Sequence, residues 1–251
     1  MPPNPNFNAN KTKILIVNDG RDCGASYSPL FREFGDVCND PNTLRLQPFI
    51  FKLIVFTGGS DVSPELYGDT SPKNVCYVNS KRDQEEREIY KFGLSRGIPM
   101  VGICRGMQFL NVMTGGKLVH DLTGHGGGTH KIMTRDRDEA FVVNSFHHQM
   151  CIPHKSSVVL AWSNSKLSKE YIGNEDTVMN YRGPEVEAIY MPWLRAVGMQ
   201  WHPETMSGDE DYAIALSWSR HLIKDLLEKI PLTFKKLYLG DYATMDVEEV
   251  K

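Results

Sequence analysis

The sequence predicts an α/β fold: an open, mostly parallel central sheet flanked by helices, with a small additional antiparallel portion in the second half. Three observations predict it. Short apolar runs bounded by polar residues recur in the first half, as buried strands do. Amphipathic or glycine-closed segments separate them, so strands and helices alternate. In the second half several strand-like runs follow one another with only short turns between them.

Taken in order, KILIVND (13–19) reads as a buried strand and SPLFREFG as a short helix closed by Gly35. FKLIVFTGG (51–59) is a second strand ending in paired glycines. KRDQEEREIYKFGLSRG (81–97) carries Ile89, Tyr90, Phe92 and Leu94 among charges, which suits an amphipathic helix stopped at Gly97. IPMVGI (98–103) is a third strand, and RGMQFLNVMTGG (105–116) a helix ended by Gly115 and Gly116. EAFVVNSFHHQ, SSVVLAWS, EVEAIYM and RAVGMQW read as strands, and residues 211–230 as a last helix. HGGGTHK (125–131) has the composition of a flexible loop.

The expected organisation is a disordered arm over 1–12, a single domain over 13–230 and a tail over 231–251. The tail has scattered apolar residues and an acidic end, and either packs on the domain or reaches a partner. The chain has 251 residues, enough to bury a sizeable core. It is 41% hydrophobic and 24% charged, with a net charge of −3. So small a charge exerts no broad pull on nucleic acid or an anionic membrane. No run approaches the roughly 20 apolar residues of a membrane span. The opening MPPNPNFNANKTK lacks the apolar centre of a secretory signal. The five cysteines (Cys23, Cys38, Cys76, Cys104 and Cys151) are odd in number and widely spaced. That argues against a disulfide framework and for a reducing compartment, expected to be cytoplasm. No pair has metal-ligand spacing, and four of the five read as small core residues.

Cys104 is different. The apolar run 98–103 ends at it, and Gly102 and Gly106 flank it at two residues on each side. A strand that turns abruptly into a helix holds its turn residue above the sheet edge, and small neighbours relieve the crowding. The helix N-terminus then favours an anion there, and its free N–H groups can hold an oxyanion. From this pattern alone a buried structural cysteine stands equally beside a nucleophile. QWHPE (200–204) adds a base and an orienting carboxylate, His202 and Glu204, two residues apart past the run RAVGMQW. If the segment is extended, both side chains project to one side.

FTGGSDVSPELYG (56–68), RDQEE leading to GIPMVGICRGMQFLN (82–111), VNSFHHQ (143–149) and VEAIY leading to VGMQWHPE (186–204) together resemble the class I glutamine amidotransferase superfamily. The likeness is greatest to its γ-glutamyl-γ-aminobutyrate hydrolase-like, peptidase C26-like branch. The resemblance implies a flavodoxin-like sheet and a catalytic Cys104–His202–Glu204 triad. It implies an oxyanion hole from the backbone N–H groups of Gly58, Gly59 and Arg105. It places Gln108, Ser145, Phe146 and His147 against the bound glutamyl group. The implied activity is hydrolysis of γ-glutamyl amide bonds through a glutamyl thioester, with glutamate and an amine as products. Neither a cofactor nor a metal is implied. His147 and His148 are adjacent on an expected strand, where neighbours face opposite ways, so they are not read as a metal pair.

The expected ligand is a small γ-glutamyl compound or glutamine. One alternative is a glutaminase subunit that supplies ammonia to a separate synthetase partner. Two others are a non-enzymatic interaction module that kept the fold and a chaperone- or protease-like relative with a cysteine elbow. The last fits poorly with the HPE segment. The chain is shorter than the family's hydrolases between the first strand and the glycine turn, and between the post-cysteine helix and VNSFHHQ. The resemblance therefore speaks more to the γ-glutamyl half of the substrate than to the amine, and the sequence does not indicate an oligomeric state.

Overall fold

The computed structural model describes residues 12–17, 27–71 and 75–228. The expected arm and tail lie essentially outside these residues, as does Cys23.

The first strand, β1 (Lys13–Val17), is buried from its second residue on. It is followed by α1 (Ser28–Phe31), β2 (Asp36–Cys38) and α2 (Pro41–Leu46). Asp40 starts α2 by accepting from the N–H groups of Asn42 and Thr43 at 3.0 and 3.2 Å. Next come β3 (Phe51–Phe56), α3 (Ser80–Ser95), β4 (Met100–Ile103) and α4 (Arg105–Met113). The short strands β5 (Lys117–Val119) and β6 (Asp121–Leu122) precede a hairpin of β7 (Gly128–Thr134) and β8 (Arg137–Ser145). The second half continues through β9 (Met150–Ile152), β10 (Val158–Ser163), β11 (Tyr171–Ile172), β12 (Val186–Met191) and β13 (Ala196–Met199) to α5 (Ala213–Glu228).

Among the described residues the main sheet has nine strands, ordered β2-β1-β3-β4-β13-β12-β10-β7-β8. From β2 to β13 every neighbour is parallel; from β13 to β8 every neighbour is antiparallel. The antiparallel portion is thus continuous with the parallel one. The chain adds β2 on one side of β1 and β3 on the other, and such a switch point opens a crevice at the carboxyl ends of the strands.

Alternate residues of each parallel strand enter different cores, as the period of two requires. Ile14, Ile16, Leu53 and Val55 pack with Leu222, Ile223 and Leu226 of α5. Leu15, Val17, Ile54 and Phe56 pack with Ile89 of α3 and with Phe109 and Leu110 of α4. Helices therefore cover both faces of the parallel half. Among the described residues no helix is long and apolar enough to cross a membrane.

One expectation fails. HGGGTHK is not simply a loop, because its last four residues open β7, which pairs with both β8 and β10. The glycines do local work: Gly127 and Gly128 have φ of 87° and 134° and turn the chain into the strand.

Candidate active site

Cys104 follows β4 directly and is the N-cap residue of α4. Its φ of 51° and ψ of −111° lie where few side-chain-bearing residues go, so this is a strained elbow. The glycines around it are required by close approach. A β-carbon on Gly102 would lie 2.5 Å from the Gly106 carbonyl group, and one on Gly106 would lie 2.0 Å from the Phe56 carbonyl oxygen. With those β-carbons absent, α4 starts directly over the ends of β3 and β4. Cys104 is 6% exposed, and its N–H donates to the Met199 carbonyl oxygen of β13 at 2.7 Å.

β13 lies beside β4, with Gly198 opposite Gly102 and Met199 opposite Ile103. Three residues beyond Met199 comes His202, whose imidazole stands beside Cys104 at the glycine turn after β3. His202 Nδ1 is 2.7 Å from Glu204 Oε1. The strand has already ended here. Pro203–Thr205 form a single 3-10 turn, so Glu204 meets His202 by curling back and not by extended alternation. Pro203 sits at the first helical position, where its fixed φ starts a turn and its missing N–H costs nothing. Asn144 of β8 pins this turn: its Oδ1 accepts from the His202 N–H at 2.8 Å, and its Nδ2 donates to Thr205 Oγ1 at 2.8 Å. Burial alone would lower the His202 pKa. The neighbouring Cys104 sulfur and Glu204 carboxylate outweigh it and hold the imidazole well above its ordinary value.

The glycine turn follows β3, on the other side of β4. A β-carbon on Gly58 would be 2.8 Å from His202 Cε1 and 3.6 Å from Cys104 Cβ, so this turn forms a wall of the same site. The Gly58 N–H donates to the Tyr27 hydroxyl at 3.1 Å. Gly59 has a φ of 130°, open to glycine alone at little cost. Behind the turn lies a buried ion network. Arg82 of α3 donates to the carbonyl oxygens of Gly58 and Thr57 at 2.8 and 2.9 Å and to Glu86 at 2.7 Å. The Arg105 guanidinium is buried against Glu86 and Asp83. Asp83 also accepts from the N–H and hydroxyl of Ser63. RDQEE thus locks α3 to both the glycine turn and the first residue of α4. The side chain of Arg105 faces this network.

The residues expected at the glutamyl group fall in different surroundings. Gln108, one turn into α4, is buried and donates to the Gln149 carbonyl oxygen and to Gln200 Oε1, both at 3.3 Å. Ser145 ends β8, and its hydroxyl donates to the His125 carbonyl oxygen at 3.2 Å. Phe146 is 63% exposed, with its ring centred 5.8 Å from that of His202. His147 turns inward, toward Glu187 and His125, and Nδ1 bonds the Gln149 carbonyl oxygen at 2.9 Å. His148 points the other way, to Asp121 at 2.9 Å and Asp61 at 3.2 Å.

One participant, Tyr27, has no motif in the sequence to announce it and stands alone before a short helix. Asn144 lies within VNSFHHQ, but its part in the site is not read from that stretch. Only the meeting of β8 with the 202–205 turn gives Asn144 its task.

A family model described as Peptidase C26 matches residues 40–140. Two glutamine amidotransferase-like proteins of Lactococcus lactis are similar in sequence. The YvdE homolog of subsp. cremoris is 35% identical over 150 residues, covering 50% of this chain and 79% of that protein. YvdE of subsp. lactis is 32% identical over 170 residues, covering 60% of this chain, which spans 65% of the length of that relative. The γ-glutamyl-CDP-amidate hydrolase of Campylobacter jejuni is 25% identical over 175 residues, covering 67% of this chain and 70% of that protein. A GMP synthase-type structure from Thermoplasma acidophilum shares the fold. It has a TM-score of 0.53 and 17% identity over 92% of this chain and 98% of that one. With these matches added to the elbow and its neighbouring strand ends, the chain belongs to the class I glutamine amidotransferase superfamily, in its peptidase C26-like branch.

Proposed function

We propose that this chain is a cysteine-dependent hydrolase of γ-glutamyl amide bonds, with Cys104, His202 and Glu204 as its triad. One observation carries the reading: the strained Cys104 elbow and the His202 imidazole border the same glycine turn, and that histidine is itself bonded to a carboxylate at 2.7 Å. The name of the Campylobacter jejuni relative supports the γ-glutamyl half of the substrate.

The reaction begins with Cys104 as thiolate and His202 as imidazolium. The thiolate attacks the γ-carbonyl carbon, and a C–S bond forms. The oxyanion rests on the N–H groups of Arg105 and the Gly58–Gly59 turn. As the C–N bond breaks, His202 gives its proton to the departing amine. Neutral His202 then takes a proton from water, which attacks the thioester and breaks the C–S bond. Glutamate leaves, and the thiolate–imidazolium pair is restored. Glu204 fixes the imidazole tautomer and favours its charged form. Phe146, Ser145 and Gln108 line the glutamyl side, Ser145 through its backbone. His147 supports that wall from behind.

A second reading, a glutaminase subunit waiting for a synthetase, has one observation in its favour. The Gly58 N–H is engaged by Tyr27 and must be released before it can meet an oxyanion. The test is glutamate release from the isolated protein, comparing L-glutamine with γ-glutamyl amines and peptides, with Cys104→Ala as the blank. Turnover of a γ-glutamyl amine well above glutamine is the expected result. Inactivity on the whole panel, with Cys104 still alkylated by a glutamine-mimicking electrophile, would replace it with the second reading.

A further inference from the structure

Behind the Ser145–His147 wall, in the antiparallel half, three imidazoles converge on one buried carboxylate. His125 Nε2 lies 3.1 Å from Glu187 Oε1, His130 Nε2 lies 3.0 Å from it, and His147 Nε2 lies 3.9 Å from it. The ligand atoms of His125, His130 and Glu187 all fall within 4.8 Å of one another. Glu187 is wholly buried, and its second oxygen, Oε2, has no hydrogen-bond partner.

The hydrogen bonds around the rings say what is missing. His147 Nδ1 faces the Gln149 carbonyl oxygen at 2.9 Å. A carbonyl oxygen only accepts, so Nδ1 carries the proton and the neutral ring presents a lone pair at Nε2. Nε2 is buried and without a hydrogen-bond partner, aimed at a carboxylate oxygen beyond hydrogen-bond range. Lone pair facing anion is repulsive unless a cation lies between them. His125 differs: its Nε2 is within hydrogen-bond distance of Glu187 Oε1, while its Nδ1 lies 3.3 Å from Glu185 Oε2 without a hydrogen bond. With its proton on Nδ1, facing Glu185, the ring turns the Nε2 lone pair to the same Glu187 oxygen. Glu185 is anchored in turn by the N–H groups of Leu167 and Ser168 and the Tyr171 hydroxyl. A carbonyl behind His147 and a carboxylate behind His125 are the arrangement that orients histidine ligands toward a metal.

We propose that His125, His130, His147 and Glu187 form a closed site for a divalent transition metal of the zinc class. Three imidazoles and a carboxylate suit Zn²⁺ in hardness and number, and four protein ligands mark a structural site. Tetrahedral bonds of about 2.05 Å separate neighbouring ligand atoms by about 3.3 Å, so binding draws His147 inward. The metal would join β7, β12 and the 145–149 segment, and so hold the Phe146 wall against His202. It takes no part in the thiol chemistry.

The test uses the full chain, tag-free, expressed with added zinc, and elemental analysis of the purified protein. The expected result is one zinc per chain. Chelation should lower the melting temperature, and ZnCl₂ should restore it. Co²⁺ should give the visible absorption of a tetrahedral centre. His130→Ala, at the half-buried rim, should cost more affinity than the roughly 10- to 100-fold that loss of a supporting partner costs. Selective alkylation of Cys104 in that variant shows that it is folded. Cys104→Ala should keep the full stoichiometry. Metal-free protein whose melting point and spectrum ignore both ions would overturn the proposal, as would zinc lost in Cys104→Ala and kept in His130→Ala.

Discussion

The parallel and antiparallel halves of the sheet gather reactive side chains in different ways. In the parallel half, Cys104, the glycine turn and His202 all leave the carboxyl ends of three adjacent strands, β4, β3 and β13. Each arrives with its own local motif, and adjacency of the strands does the rest. In the antiparallel half, His125, His130, His147 and Glu187 come from a turn, two strands and a post-strand segment, with no shared motif. A strand-end site is written in short stretches of sequence; a site inside a meander is written only in the register.

The comparison is broken most sharply at Cys104, the proposed nucleophile. Cys104→Ala should reduce glutamate release by about 10⁴-fold or more while circular dichroism and melting temperature stay close to those of the parent. The elbow strain sits in the backbone, and alanine is no better suited to it. Retained turnover would remove Cys104 from the mechanism.

The support of the strand-end site should fail by unfolding. Glu86→Gln takes a charge from the buried network that holds Arg82 and Arg105. We expect a loss of about 3–5 kcal/mol in urea denaturation, because buried guanidinium groups lose their counter-charge. A loss below about 1 kcal/mol would show that water reaches this network.

Glu204→Gln should be milder in rate than loss of the nucleophile, on the order of 10²-fold, because an amide still bonds the imidazole. Its signature is in the pH profile. Glu204 helps to raise the His202 pKa, so the imidazolium persists to higher pH than an ordinary histidine. Removing the carboxylate lowers that pKa, and the alkaline limb of kcat/KM should move to lower pH. An unmoved limb would mean that Glu204 does not set the charge on His202. Stability has the same sign: the stabilisation from His202 is present below the ordinary imidazole pKa and fades as pH rises through the elevated one.

The smallest effects are expected at the other cysteines. Burial pushes the Cys151 thiol well above its ordinary pKa, and burial also raises Cys76. Cys76→Ser and Cys151→Ser should each leave kcat within about twofold, since burial disfavours the thiolate of both. An electrophile should label Cys104 ahead of both by peptide mapping.

How much was legible in the sequence follows the same division. The strands over 13–17, 51–56, 100–103, 186–191 and 196–199 are apolar runs broken only by Lys13, Lys52 and Glu187, because parallel or central strands are buried on both faces. The elbow was legible because glycine is needed where α4 crosses the strand ends. β7 was hidden because its opening glycines dominate the composition, although Ile132 and Thr134 alternate toward the core. The HPE turn reads as extended because nothing in three residues separates a strand end from a 3-10 turn. The task of the Arg105 side chain was hidden because it depends on α3, some twenty residues earlier, packing across the elbow.

The most direct test is intact-mass analysis of the full chain, acid-quenched during turnover of a γ-glutamyl amine. A single glutamyl adduct, mapped to Cys104 and cleaved by hydroxylamine, is the result the account predicts. Glutamate release that continues in Cys104→Ala, with no adduct on the parent protein, would contradict it.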